Sequence, residues 1–271
     1  MRIIKLHIAG LIVLLGVAAC ESENPLVQSG YIKPVVEAFI SAETDTIMVN
    51  ITEMIPYLGS EDDSLAKPIS NLEVFLLKDG DRFIMTEKPE KQGVYYILPN
   101  AIDLEEGDSL SFESNVDGFT LSASTWIPPK PLSIKISDNV LYYEVGNPSG
   151  MLNSSNLTVS WNNPNDGFYS VSMTNIDASP EPVNEMFEDA PVRSQAPPSQ
   201  ADNFEIRFRN LMYFGTYQVI LYHVNQEFAN LFDNPTMNSV NISEPPTNIE
   251  NGLGIFTGIS ADTVYFDLRK L

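Results

Sequence analysis

Catalysis by side chains draws on histidine, cysteine, serine and carboxylates at set spacings, and this chain of 271 residues is poor in the first two. It holds two histidines and one cysteine, Cys20. His7 lies in an apolar N-terminal segment, which leaves His223 as the one imidazole of any folded domain. That inventory builds neither a Cys–His pair nor a His-rich zinc site. A lone histidine permits a Ser-His-Asp triad in principle, but no Gly-x-Ser-x-Gly turn presents a nucleophile. His223 falls in phase with Tyr217, Val219 and Leu221, which predicts the inner end of a strand. Ser64-Leu65-Ala66-Lys67 has the Ser-x-x-Lys spacing of penicillin-recognising enzymes. It follows Glu61-Asp62-Asp63 in a loop, without the helix and the two further motifs that chemistry needs. Glu61-Asp62-Asp63 and Glu105-Glu106-Gly107-Asp108 offer oxygen ligands, but neither has the spacing of an EF-hand loop. Counting leaves a glycosidase carboxylate pair open, and nothing in the sequence sets two carboxylates across a cleft. No Gly-rich phosphate cradle is present. The reading therefore assigns no catalytic residue, no metal site and no cofactor.

Cys20 has a different chemistry. Arg2 and Lys5 precede a twelve-residue apolar run, Ile8 to Ala19, that ends in small residues. A charged start, a short apolar stretch and a small-residue end make a secretory signal over residues 1–19, too short to span a bilayer. Val17-Ala18-Ala19-Cys20 resembles the bacterial lipobox, in which the signal is cut before the cysteine and its thiol is lipidated. A single cysteine in an exported chain fits, because exported cysteines ordinarily come in bridged pairs. Acyl chains on Cys20 give a membrane anchor, followed by a polar tether over residues 20–30. Glu21-Ser22-Glu23 directly after the anchor resembles the surface-export signal of Bacteroidota lipoproteins, so the expected address is the outer membrane, facing outward.

The charge excludes some partners. The chain carries 36 acidic and 15 basic side chains, a net of −21. Loss of Arg2 and Lys5 with the leader leaves 13 bases and a net of −23. Phosphate neutralisation needs a basic stripe, so no nucleic-acid partner is expected. The acidity is spread along the chain, as suits a soluble head held near an anionic envelope.

The elements that must position any site read as β-structure. Ile47, Val49 and Ile51 alternate with polar neighbours, as in a half-buried strand. Leu72–Leu77 and Arg82–Met85 flank Lys78-Asp79-Gly80-Asp81, a strong hairpin signal. About seven short strands between residues 31 and 127 predict a first β-sandwich. Pro128-Pro129-Lys130-Pro131 reads as an exposed linker over residues 128–131. From 132 to 271, Leu157–Trp161, an Asn/Pro loop and Tyr169–Met173 resemble the fibronectin type III pattern. Tyr217 is its expected tyrosine corner, the hydroxyl reaching back near Leu211. The fold class is thus all-β, two β-sandwich domains, immunoglobulin/fibronectin type III-like, the second with long insertions and a short helix. One insertion, residues 177–202, is rich in Pro, Ser and Gln and reads as functional or disordered. Another carries Phe228, Leu231 and Phe232 at helical spacing.

Thr247-Asn248-Ile249-Glu250-Asn251-Gly252-Leu253-Gly254-Ile255-Phe256 is the most specific string. Together with the lipobox, the Val-Val-Glu-Ala strand and Pro128-Pro129, it resembles a Bacteroidota outer-membrane lipoprotein family, domain of unknown function 4249. The resemblance implies two β-sandwiches on an outer-membrane anchor and an accessory role beside a TonB-dependent receptor. It supplies no site residues. Gly252 and Gly254 suit positive φ or a close backbone approach. The run reads either as a loop plugging the sandwich end or as a partner-docking loop.

The leading expectation is a non-enzymatic surface lipoprotein that captures ligand for a TonB-dependent transporter or caps its barrel. Met186, Phe187, Phe228 and Phe232 are the candidate contacts, with packing against their own sandwich as the alternative. A structural or adhesive surface protein is the second reading, and a glycan or peptide hydrolase the third. Thr46, Ser64, Ser109 and Thr263 each sit in an Asp-Ser/Thr-apolar triplet, the acceptor pattern of Bacteroidota O-glycosylation.

Overall fold

A computed structural model describes residues 33–55, 66–143, 156–232 and 245–271. Cys20, the lipobox, the tether, Ser64 and Glu61-Asp62-Asp63 lie outside these residues. The strands are β1 (Pro34–Ile40), β2 (Ile47–Glu53), β3 (Val74–Lys78), β4 (Asp81–Lys88), β5 (Lys91–Ile97), β6 (Ser109–Val116) and β7 (Phe119–Trp126). Then come β8 (Leu132–Ile136), β9 (Val140–Tyr143), β10 (Leu157–Asn162), β11 (Phe168–Asn175), β12 (Glu181–Pro182), β13 (Arg193–Gln195), β14 (Asn203–Ile206) and β15 (Tyr213–Val224). A four-residue helix α1 (Gln226–Ala229) precedes the last strand, β16 (Leu253–Lys270).

Local chemistry explains the turns. Asp79 and Gly80 both take positive φ, 53° and 88°, the signature of a tight hairpin turn whose twist matches the flanking strands. Lys78 accordingly pairs with Asp81. β4 then divides its bonds, residues 81–85 pairing with β3 and residues 86–88 with β5. The strand therefore passes from one layer of the first sandwich to the other. Val36, Ile51, Tyr95, Phe112 and Leu121 fill the space between the layers, each fully buried.

The second sandwich sets a three-stranded sheet, β14-β10-β8, against β13-β11-β15-β16, with β9 alongside β16. Val159 and Trp161 from β10 meet Val171, Val219 and Leu221 from β11 and β15 in one core. The all-β, two-sandwich fold class holds. Tyr217 is a tyrosine corner, and its hydroxyl reaches back to backbone near Leu211, donating to the Tyr213 carbonyl at 2.8 Å. The Tyr213 amide donates back to that hydroxyl at 3.1 Å.

Three further expectations change. The division at 128–131 gives everything after Leu132 to the second sandwich, yet β16 serves both. Its residues 253–258 pair in parallel with β1, and residues 259–268 pair with β15. Ile249 and Phe256 belong to the first core, the Phe256 ring 5.8 Å from Phe112. The Pro-rich linker is partly buried, at Pro128 and Pro131, because the returning strand packs over it. The 177–202 stretch is ordered: it carries β12, a 3₁₀ turn at Glu185–Phe187, and β13 paired to β11. Tyr213 ties it down by donating to the Ala190 carbonyl at 2.6 Å.

The 247–256 run closes the first sandwich. Asn248 grips Phe256 both ways, its Nδ2 donating to the carbonyl at 2.7 Å and its Oδ1 accepting the amide at 3.0 Å. The Glu250 amide reaches the Ser122 carbonyl of β7 at 2.8 Å. Gly254 takes φ +97°, while the other positive φ falls on Asn251 at 58° and not on Gly252. Gly252 answers instead to a close approach, since a Cβ there would lie 3.0 Å from the Pro34 carbonyl oxygen.

Candidate functional site

The residues with the richest bonding gather where β16 crosses from one sandwich to the other. Thr125, near the end of β7, uses its whole hydrogen-bonding capacity there. Its hydroxyl donates to Glu227 Oε1 at 2.6 Å and accepts from Asn225 Nδ2 at 3.0 Å and from the Gly258 amide at 2.9 Å. One donor and two lone pairs are all a hydroxyl has. Thr257 adds a second bond to Glu227 Oε1 at 3.2 Å. Asn225 also donates to the Trp126 carbonyl at 2.7 Å, and Ser260 donates to the Pro128 carbonyl. Lys130 forms an ion pair with Glu43. Sequence reasoning missed this seam, because Thr125 lies about a hundred residues from Asn225 and Glu227 and no local pattern links them.

His223 lies at the inner end of β15 as its phase predicts. Nδ1 is 2.7 Å from the Pro129 carbonyl oxygen. A carbonyl only accepts, so Nδ1 carries the proton and the neutral tautomer is fixed. The ring stacks on Tyr169 at 4.6 Å and meets the Trp126 ring edge-on at 6.5 Å. Burial pushes its pKa down, partly offset by the bond to Pro129. Gly167 makes the room, since a Cβ there would lie 2.7 Å from Nε2. The imidazole is thus engaged in joining the sandwiches.

The acidic turn at Glu105–Asp108 is also committed to structure. Burial pushes the Asp108 carboxyl up, but the Lys78 ammonium at 2.7 Å and the Glu105 amide outweigh it and hold the group below its usual range. Backbone amides of Asn71 and Gly93 hold Glu87 down in the same way, at 2.9 and 2.8 Å. Among the described residues no three His, Cys, Asp or Glu side chains converge as a metal set.

The four candidate contacts fall in two places. Met186 is 81% exposed at the 3₁₀ turn capped by Asn184, and Phe187 beside it is half-buried. Phe228 and Phe232 come together, ring centroids 5.3 Å apart. Phe228 also packs edge-on against Phe39 of β1 at 5.9 Å, so it bridges to the first sandwich. Phe39 is 38% exposed and was not foreseen as part of this face. Its signal was present, an outward residue in the alternating Val35–Ile40 strand. Among the acceptor triplets, Ser109 is exposed, while Thr46 and Thr263 are half-buried.

The family described as Domain of unknown function (DUF4249) matches residues 29–264. The chain belongs to this family. No curated protein matches the sequence. Two solved structures are similar in part. The FN1–FN3 domains of chicken CNTN1 share 13% identity, covering 90% of this chain and 71% of that one, with a TM-score of 0.28. Titin domains A168–A170 share 12% identity, covering 71% and 56%, with a TM-score of 0.22. Overlaps this low add nothing to the sheet pairing above, which carries the fold assignment by itself.

Proposed function

We propose that this DUF4249 protein is a non-enzymatic outer-membrane lipoprotein, surface-exposed, that serves a TonB-dependent transporter as an accessory ligand-binding or capping partner. The lipobox at Val17–Cys20 supports the anchor, and the family resemblance supports the transporter. The observation that carries the docking role is the aromatic face made jointly by both sandwiches. Phe39 comes from the first and Phe228 and Phe232 from the second, with Phe232 46% exposed. Apolar groups held in the open by a fixed scaffold mark interaction surfaces. His223 supports a non-enzymatic role, because its stacking and its bond to Pro129 occupy it at the seam.

The test is affinity capture of a tagged copy from detergent-solubilised outer membrane. A TonB-dependent barrel protein should be recovered with the wild type and lost with Phe232→Ser. Recovery of no barrel protein would sink the proposal.

A further inference from the structure

A second surface feature lies on the outer side of the first sandwich. Leu110, Phe112, Leu121 and Ala123 point into the core, so their neighbours along β6 and β7 face outward. In register these neighbours are Ser109 opposite Trp126 and Ser111 opposite Ser124. Together with the β3–β4 hairpin and Glu227 they line an open groove of about 610 Å³. That volume is within the ordinary range of small-molecule sites.

The lining has a definite chemical character. Trp126 is 43% exposed, yet it is held: its carbonyl accepts from Asn225 and its ring stands edge-on to His223. The floor is hydroxylic, the Ser111 and Ser124 oxygens 2.9 Å apart. At one end Glu227 is fixed because Thr125 and Thr257 both donate to Oε1. Among the described residues its other oxygen, Oε2, accepts no hydrogen bond. Asp79 stands on the hairpin wall, beside Leu77. Lys78 brings no free charge, since Asp108 and the Asp103 carbonyl hold its ammonium.

We infer that this groove binds an uncharged saccharide. An indole face offers a stacking platform for the C–H face of a sugar ring. Carboxylates accept hydrogen bonds from sugar hydroxyls, and serine hydroxyls both give and accept them. The alternatives match less of the lining. An anion meets two carboxylates on a chain of net charge −21. An aliphatic ligand strips water from the serines and carboxylates and returns no partner, which costs free energy. A cation satisfies the carboxylates and the indole but leaves the hydroxyl floor unused. The inference goes beyond the docking role, because the groove needs neither membrane nor transporter.

The purified full-length protein tests it by ¹H–¹⁵N NMR. The chain has two tryptophans, so two indole N–H signals report, Trp126 in the groove and Trp161 buried in the second core. The probes are neutral glucose, xylose and mannose oligosaccharides at millimolar concentration. At least one should move the Trp126 signal saturably and leave Trp161 in place. Trp126→Ala should weaken binding, read by calorimetry, roughly tenfold or more. Ser124→Gln fills the exposed floor without touching either core, so it should abolish binding at an unchanged unfolding midpoint. No saturable shift with any of the three sugars overturns the inference. So does an equal response in the Ser124→Gln protein, or a response to tetramethylammonium alone. Because no membrane is present, failure here is distinct from failure of the barrel-capture experiment.

Discussion

Phe256→Ala probes the shared strand directly. Phe256 lies in the C-terminal half of the sequence, yet its side chain is fully buried in the first core against Phe112. Emptying a site of that size costs about 3–5 kcal/mol, the removed apolar contact plus the cavity left behind. Domains of this kind have about 5–15 kcal/mol of stability in all, so the loss is a large share. Urea unfolding followed by fluorescence measures the total, and hydrogen exchange read by mass spectrometry locates it. Amides of β1, β2, β6 and β7 should lose protection first. Leu221→Ala, in the second core, costs a similar 2–5 kcal/mol by the same reasoning, about as the substitution range allows. It should expose β10 and β11 first. If Phe256→Ala instead loosens β10 and β11 while the first sandwich keeps its protection, residues 253–258 do not complete that sandwich. A loss under about 1 kcal/mol would refute the packing argument outright.

Three further outcomes follow from the same geometry. Gly254→Ala should cost at least about 2 kcal/mol in urea unfolding, since φ is +97° and a Cβ would meet the Val36 carbonyl oxygen at 2.0 Å. Tyr217→Phe removes the hydroxyl that both donates to and accepts from Tyr213, so the unfolding free energy should fall by about 1–3 kcal/mol. His223 is held below its ordinary pKa by burial, so the unfolded chain takes up its proton first as pH falls. The contribution of neutral His223 is therefore present above about pH 6.5 and is lost as pH drops through the lower folded value. Unfolding midpoints compared between pH 7.5 and 5.5 should decline in the wild type and decline less in His223→Gln, a window of about two units above the carboxylate range.

Local chemistry made much of the fold legible. Alternation at Ile47, Val49 and Ile51 marked β2, and Asp79-Gly80 marked the β3–β4 hairpin because few residues tolerate two positive φ in succession. The phase of His223 with Leu221 placed it correctly. Tyr217 was recognisable as a corner residue reaching back near Leu211, but the partner itself, the Tyr213 backbone, depends on a turn whose length composition does not specify. Residues 177–202 looked irregular because Pro, Ser and Gln dominate, yet pairing with β11 and β15 orders them from outside. The seam was invisible, because Thr125, Asn225, Thr257 and Ser260 are ordinary polar residues until the chain returns past β7.

The sequence by itself determined the all-β character, the count of two cores, the net acidity and an inventory of one cysteine and one histidine outside the N-terminal segment. These follow from periodicity, composition and residue inventory, which need no partner in space. Tertiary structure alone decided that β16 belongs to both sandwiches, that Phe39 meets Phe228, and that Trp126 stands over a hydroxyl floor beside Glu227. The β1–β16 pairing, the Phe39–Phe228 contact and the approach of Glu227 to Trp126 join residues about a hundred or more positions apart, where closure entropy and packing select the partner and local propensity is silent.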